Sequence, residues 1–118
     1  MTLPANGRMA VYDQPNGPFR LVGYPLRPPA AGEVLVRNRM ATICRSDIHT
    51  WQGHRPGPCP GLLGHEIIGD IVALGEGVTE DMRGDSLGPG DRITWSEYFI
   101  PGSNYFSDVL DLPQKAAG

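Results

Sequence analysis

Gly64-His65-Glu66-Ile67-Ile68-Gly69-Asp70-Ile71-Val72-Ala73-Leu74-Gly75 is the stretch on which the fold turns. Its β-branched run is the most strand-like of the chain, and Gly69 marks a bend or the close approach of a second backbone. His65 and Glu66 stand at the entry to that strand. Upstream, Cys44-Arg45-Ser46-Asp47-Ile48-His49 adds a thiol, a guanidinium, a hydroxyl, a carboxylate and a second imidazole. Between Cys44 and Glu66 the chain therefore gathers the side chains of a metal centre with a proton relay.

The flanking residues read as a scaffold for this stretch. Glu33 to Arg39 alternates, with Val34, Val36 and Asn38 on one face and Glu33, Leu35, Arg37 and Arg39 on the other. That strand continues through Met40-Ala41-Thr42-Ile43 and delivers Cys44 at its end. Ser46 then reads as a helix N-cap with Asp47 in the first turn, and Ile48 to Trp51 form one or two helical turns that Gly53 stops. Helix amides near Cys44 favour its thiolate, the form that binds metal. His54 to Pro60 is a Pro/Gly-rich loop suited to a cleft wall, and Trp51, His54 and Trp95 hint at a cleft with aromatic character.

Further out, Arg8 to Tyr12 and Phe19 to Tyr24 read as an antiparallel hairpin around the turn chemistry of Gln14 to Pro18. Thr79 to Gly90 reads as a surface loop, and Asp91 to Trp95 as a short strand whose Asp91 and Arg92 form an ion pair at the turn. Tyr98 to Ile100 is a candidate strand extension, Pro101 to Asn104 is turn chemistry, and Val109 to Pro113 is too short to assign.

With 16 Gly and 12 Pro in 118 residues, turns and short strands dominate, and the expected class is mainly β. The net charge of −3 comes without a basic stripe, which argues against nucleic acid or an anionic membrane surface as partner. No apolar run reaches membrane-spanning length and the N-terminus lacks a leader pattern, so a cytoplasmic protein is expected. In that compartment a disulfide between Cys44 and Cys59 is disfavoured, and Cys44 is read as a free thiolate or a ligand.

Gly64-His65-Glu66-x-x-Gly69, with Gly75 and Val78 after it, resembles the zinc-containing alcohol dehydrogenase signature of the medium-chain dehydrogenase/reductase superfamily. Cys44-Arg45-Ser46-Asp47-x-His49 resembles that family's upstream motif, and Gly88-Pro89-Gly90-Asp91-Arg92-Ile93 its following strand. The resemblance implies a GroES-like, partly open β-barrel with one or two short helices. It implies zinc ligation by Cys44 and His65, with Glu66 as a neighbouring carboxylate that either sits behind the ligands or ligates in an alternate state. Asp47 would orient the ligand imidazole from behind, Ser46 would bond the substrate oxygen, His49 would relay its proton, and Arg45 would approach the cofactor pyrophosphate. His54 and Cys59 match no ligand position. The implied reaction interconverts a small-molecule alcohol and an aldehyde or ketone with NAD or NADP.

The chain also departs from the family pattern. No Gly-x-Gly-x-x-Gly follows a strand, no further zinc ligand is evident, and no cysteine stands in Pro101 to Gly118, where many members carry a structural zinc lobe. The expectation is one catalytic domain over residues 1–118, truncated, with the Rossmann domain absent, inactive when isolated, and open to homo-oligomer formation along exposed strand edges. A rival reading is a GroES-like binding or assembly module with a vestigial metal site.

Overall fold

The structure, a computed structural model, describes residues 3–96. The expectations for 98–100 and 101–113 lie outside the described residues. Five strands and one helix follow in order: β1 (Asn6–Tyr12), β2 (Phe19–Pro25), β3 (Val34–Ala41), α1 (Arg45–Trp51), β4 (Ile67–Leu74) and β5 (Arg92–Thr94). The mainly β class is as expected, and each strand read from alternation or turn chemistry within 3–96 is present to within a few residues.

The strands form two sheets that do not close on one another, a β1-β2 hairpin and an antiparallel β3-β4-β5 sheet with β4 in the middle. The hairpin is tied to the rest at its turn, where the Asn16 amide donates to the Trp51 carbonyl at 2.9 Å and Trp51 Nε1 to the Gly17 carbonyl at 2.9 Å. It is tied again at Tyr12, which exchanges main-chain bonds of 3.1 and 2.8 Å with Gly61. Tyr12 is buried against Phe19, edge to face at 5.7 Å, and its ring also covers Gly61, where a Cβ would come within 2.7 Å of it, so the Pro-rich loop before His65 is anchored to β1 by both backbone and ring. Val11, Tyr12 and Ile71 form the buried apolar core of the described residues, while Leu21, Met40, Ile43 and Leu62 stand exposed.

The register of β3 on β4 departs from strict alternation. Leu35 pairs with Ala73 but Val36 with Ile71, and Asn38 pairs with Gly69 but Met40 with Ile68. Val72 and Arg39 are therefore extra residues, and the alternation expected through Arg39 breaks there because a bulge re-aims the side chain it carries. Arg37 is opposite Asp70 in register, yet it is the bulged Arg39 whose Nε reaches the Asp70 carboxylate at 2.6 Å. Arg92 of β5 reaches the same carboxylate at 2.8 Å. The ion pair expected within the Asp91-Arg92 turn is thus replaced: Asp91 accepts the Gly88 amide at 2.8 Å, and Arg92 pairs across the sheet because its register partner is Asp70.

Gly69 fills the role read from the sequence. A Cβ there would strike the Val36 side chain and lie 2.8 Å from the Arg37 carbonyl oxygen, so β3 and β4 pack through the missing side chain. Gly69→Ala is expected to destabilise the chain by about 1–3 kcal/mol, the usual cost of overpacking, read from urea unfolding. Arg92 first and Arg39 second hold the Asp70 carboxyl down at about 2. An unfolded aspartate titrates near about 3.9, so this contribution to stability is complete above that value and is lost as pH falls through about 2. Asp70→Asn should therefore flatten the fall in melting temperature between about pH 4 and pH 2, and an unchanged acid limb would contradict the assignment.

Candidate metal centre

Strand register brings the two halves of the site together. Ala41 pairs with Ile67, and the Thr42 amide donates to the Glu66 carbonyl at 3.0 Å. Residues just after β3 must then lie beside residues just before β4, so Cys44 meets His65 across 21 positions of sequence. Donor atoms of Cys44, His65 and Glu66 all lie within 4.8 Å of one another. Glu66 thus joins the thiol and imidazole as a third donor, where the residues alone offered two strong ones.

Asp47 joins these pieces. Its Oδ2 accepts the Cys44 amide at 3.0 Å, its Oδ1 accepts the Gly64 amide at 3.2 Å, and the same oxygen is 3.3 Å from His65 Nδ1. Asp47 is buried, as a carboxylate with this many donors can be. Its bond to Nδ1 directs the other ring nitrogen of His65 away from it.

The helix N-terminus differs from the expectation. Cys44, not Ser46, is the N-cap, because the carboxylate that closes the first turn belongs to Asp47 at the third helical position and reaches back to the Cys44 amide. Ser46 lies inside the first turn and its hydroxyl donates to Cys44 Sγ at 3.3 Å. That hydroxyl, then the Ser46 amide and a hydrogen bond from His65, hold the Cys44 thiol below the ordinary thiol range against the opposing effects of burial and, after it, the Glu66 charge. The amide contribution read from the strand-to-helix junction is therefore present, with the Ser46 side chain the larger cause.

A cavity of about 660 Å³ opens over the donors, lined by Cys44, Ser46, Arg55, His65, Glu66 and Trp95 among others. Trp95 is the aromatic member of that wall, whereas Trp51 lines a separate apolar groove and His54 faces His49 with ring nitrogens 3.5 Å apart. Arg45 is exposed and has no ion pair among the described residues. Cys44 and Cys59 are both free. Two residues escaped sequence reasoning: Thr42, whose hydroxyl donates to the Glu66 carboxylate, and Arg55 on the cavity wall. The pairing of Thr42 with Glu66 could have been found only from the β3-β4 register. Ser46→Ala in a Cys59→Ser background should raise the Cys44 thiol pKa, read from the pH dependence of thiolate ultraviolet absorbance. An unmoved titration would remove Ser46 as the chief cause.

Known proteins resemble this chain over most of its length. The profile of the Alcohol dehydrogenase GroES-like domain matches residues 30–105. An alcohol dehydrogenase class-3 of Zea mays is 38% identical over 95 residues, covering 75% of this chain and 25% of the maize protein. An S-(hydroxymethyl)glutathione dehydrogenase of Haemophilus influenzae is 42% identical over 87 residues, covering 73% of this chain and 21% of its own. Among solved structures, an alcohol dehydrogenase of Thermotoga maritima superposes with a TM-score of 0.80 at 30% identity, covering 92% of this chain and 30% of that one. The chain thus spans about a quarter of the length of the relatives it matches. No helix among the described residues is long and apolar enough to cross a membrane. With an open, mainly β fold that superposes on these dehydrogenases and a profile match over more than half its length, the chain belongs to the alcohol dehydrogenase GroES-like domain family.

Proposed function

We propose that this chain supplies the zinc site and substrate-facing wall of an NAD(P)-dependent alcohol dehydrogenase, which interconverts a small-molecule alcohol and its aldehyde or ketone. The observation that carries the reading is the Cys44, His65 and Glu66 cluster, all within 4.8 Å, at the wall of an open cavity. A thiolate, an imidazole and a carboxylate are the donor types zinc takes, and three protein donors leave a position for substrate. The lowered Cys44 pKa supports the fit, since only the thiolate ligates. Zinc bound there would polarise a carbonyl or acidify an alcohol.

The chain's own residues have distinct tasks in this reading. Asp47 holds the His65 ring through Nδ1 and fixes the backbone at Cys44 and Gly64, so two donors keep their places. Ser46 stands beside Cys44 on the cavity wall, where its hydroxyl can exchange its sulfur contact for the substrate oxygen and take up its proton. His49, one helical turn on, receives that proton. Thr42 holds the Glu66 carboxylate from behind, and Glu66 would be the third residue able to hold the ion. Arg45, an exposed cation beside the N-cap, is the candidate contact for the phosphates of the nicotinamide cofactor. Because Arg45 is the only such contact proposed, turnover is not expected of these residues alone. Free cysteines suit the reducing cytoplasm.

Cobalt(II) titration of the chain, followed by thiolate-to-metal charge-transfer absorbance, tests the centre. One ion per chain is expected, with Cys44→Ala and His65→Ala each weakening binding by about tenfold or more and Glu66→Gln by less. Affinity should rise with pH through the Cys44 ionisation. Metal content unaltered by both Cys44→Ala and His65→Ala would defeat the proposal.

A further inference from the structure

His54 belongs to no part of the donor cluster, yet the backbone is folded to bring it back onto His49. Helix α1 ends at Gln52, whose amide bonds the Ile48 carbonyl at 2.9 Å, and Gly53 then adopts φ +81°. That left-handed residue reverses the chain, so the His54 amide donates to the His49 carbonyl at 2.9 Å. A Cβ at Gly53 would be strained by its φ and would press on the Pro15 ring at 3.1 Å. One residue's main-chain acceptor and its ring therefore both face His54.

The rings meet head-on. Their Nδ1 atoms are 3.5 Å apart while the ring centroids are 5.7 Å apart. The centroid distance nearly equals the nitrogen gap plus both ring radii, so each Nδ1 points almost straight at the other. Two ligands of one metal ion would instead converge on a point off that line. Head-on facing suits a nitrogen-to-nitrogen hydrogen bond, which needs one ring to carry its proton on Nδ1 and the other to leave Nδ1 bare. His49 is half-buried and His54 is exposed.

We propose that His54 is the outlet of the proton path, taking from His49 through the paired Nδ1 atoms the proton released at the metal centre and passing it to water. This rests on the reading of Ser46 and His49 as proton-handling groups. The transfer balances without any further reactant. A proton binds His49 Nε2 while the Nδ1–H bond of His49 breaks and an Nδ1–H bond forms on His54; the Nε2–H bond of His54 then breaks, its proton going to water. The hydrogen bond between the rings is left reversed in direction, poised for uptake in the opposite reaction, and the pair resets when both rings change tautomer by exchange with water, His49 losing Nε2–H and gaining Nδ1–H while His54 does the converse. His54 touches no reacting atom, so it is a relay residue.

Long-range proton–nitrogen NMR on the chain, at a pH where both rings are neutral, reads the tautomers directly. The expected result is one protonated and one bare Nδ1 in the pair. His54→Ala, and separately Gly53→Ala, which opens the turn without touching either ring, should return His49 to the Nε2–H form that free histidine prefers. His54→Ala should also slow proton exchange at His49 severalfold, with added imidazole restoring it, an effect that a merely structural His54 would not produce. Two bare Nδ1 atoms in the parent chain, or exchange at His49 indifferent to His54→Ala, would overturn the proposal. Cys44→Ala, which disables the metal centre, should leave the tautomers unaltered, so failure of the zinc reading and failure of the outlet are separately visible.

Discussion

Asp47 is the constraint on which the rest of the site depends. One buried carboxylate accepts main-chain amides from Cys44 and Gly64 and faces His65 Nδ1, so the start of the helix and the entry to β4 share a single acceptor. A carboxylate buried without donors would be costly, and amides left without an acceptor would be costly in their turn. The two segments therefore satisfy each other or neither, which holds a thiol and an imidazole together despite the exposed loop of 54–60 between them. The same bonds set the orientation of His65.

Beneath the site, the three-stranded sheet supplies the rigid support that positioned donors need. Asp70 at its centre is bonded by Arg39 from one neighbour strand and Arg92 from the other, and Gly69 lets β3 close on β4 without an intervening side chain. These features lie a few residues from Glu66 and His65 and fix the register that delivers them. The hairpin has a complementary role, since its contacts to Trp51 and Gly61 hold both ends of the loop that forms the cavity wall. The cavity itself is lined from the start of α1, the segment before β4 and the end of β5, with Trp95 and Arg55 on its wall.

Acidity is organised along the same helix. Ser46 lowers the thiol pKa at the N-terminal end, and the left-handed turn after Gln52 brings the Nδ1 atoms of two imidazoles to 3.5 Å at the other. A seven-residue helix thereby carries a thiolate-favouring end and an end where two imidazole nitrogens meet, with Asp47 fixing its first turn.

Much of this was legible in the residues themselves. β-Branched runs, Gly/Pro punctuation and the change of period after Cys44 are local signals, and they located the five strands and the helix of the described residues, while the association of Asp47 with Cys44 and His65 was implied only by the family resemblance. Other features depend on partners distant in sequence and had no local signature. The bulge at Arg39, the diversion of Arg92 from Asp91 to Asp70, the approach of Glu66 to Cys44 and the Thr42 bond all follow from how β3, β4 and β5 are registered. The N-cap passed from Ser46 to Cys44 because a cap is decided by which amide the Asp47 carboxylate reaches. His54, which fits no ligand position by spacing, acquired a partner only through the reversal at Gly53. Sequence by itself determined which chemical groups are present and which segments are strands or helix, since side-chain chemistry and periodicity are local properties. Tertiary structure alone decided which groups meet, because distances between them are set by cross-strand pairing and by a few backbone torsions.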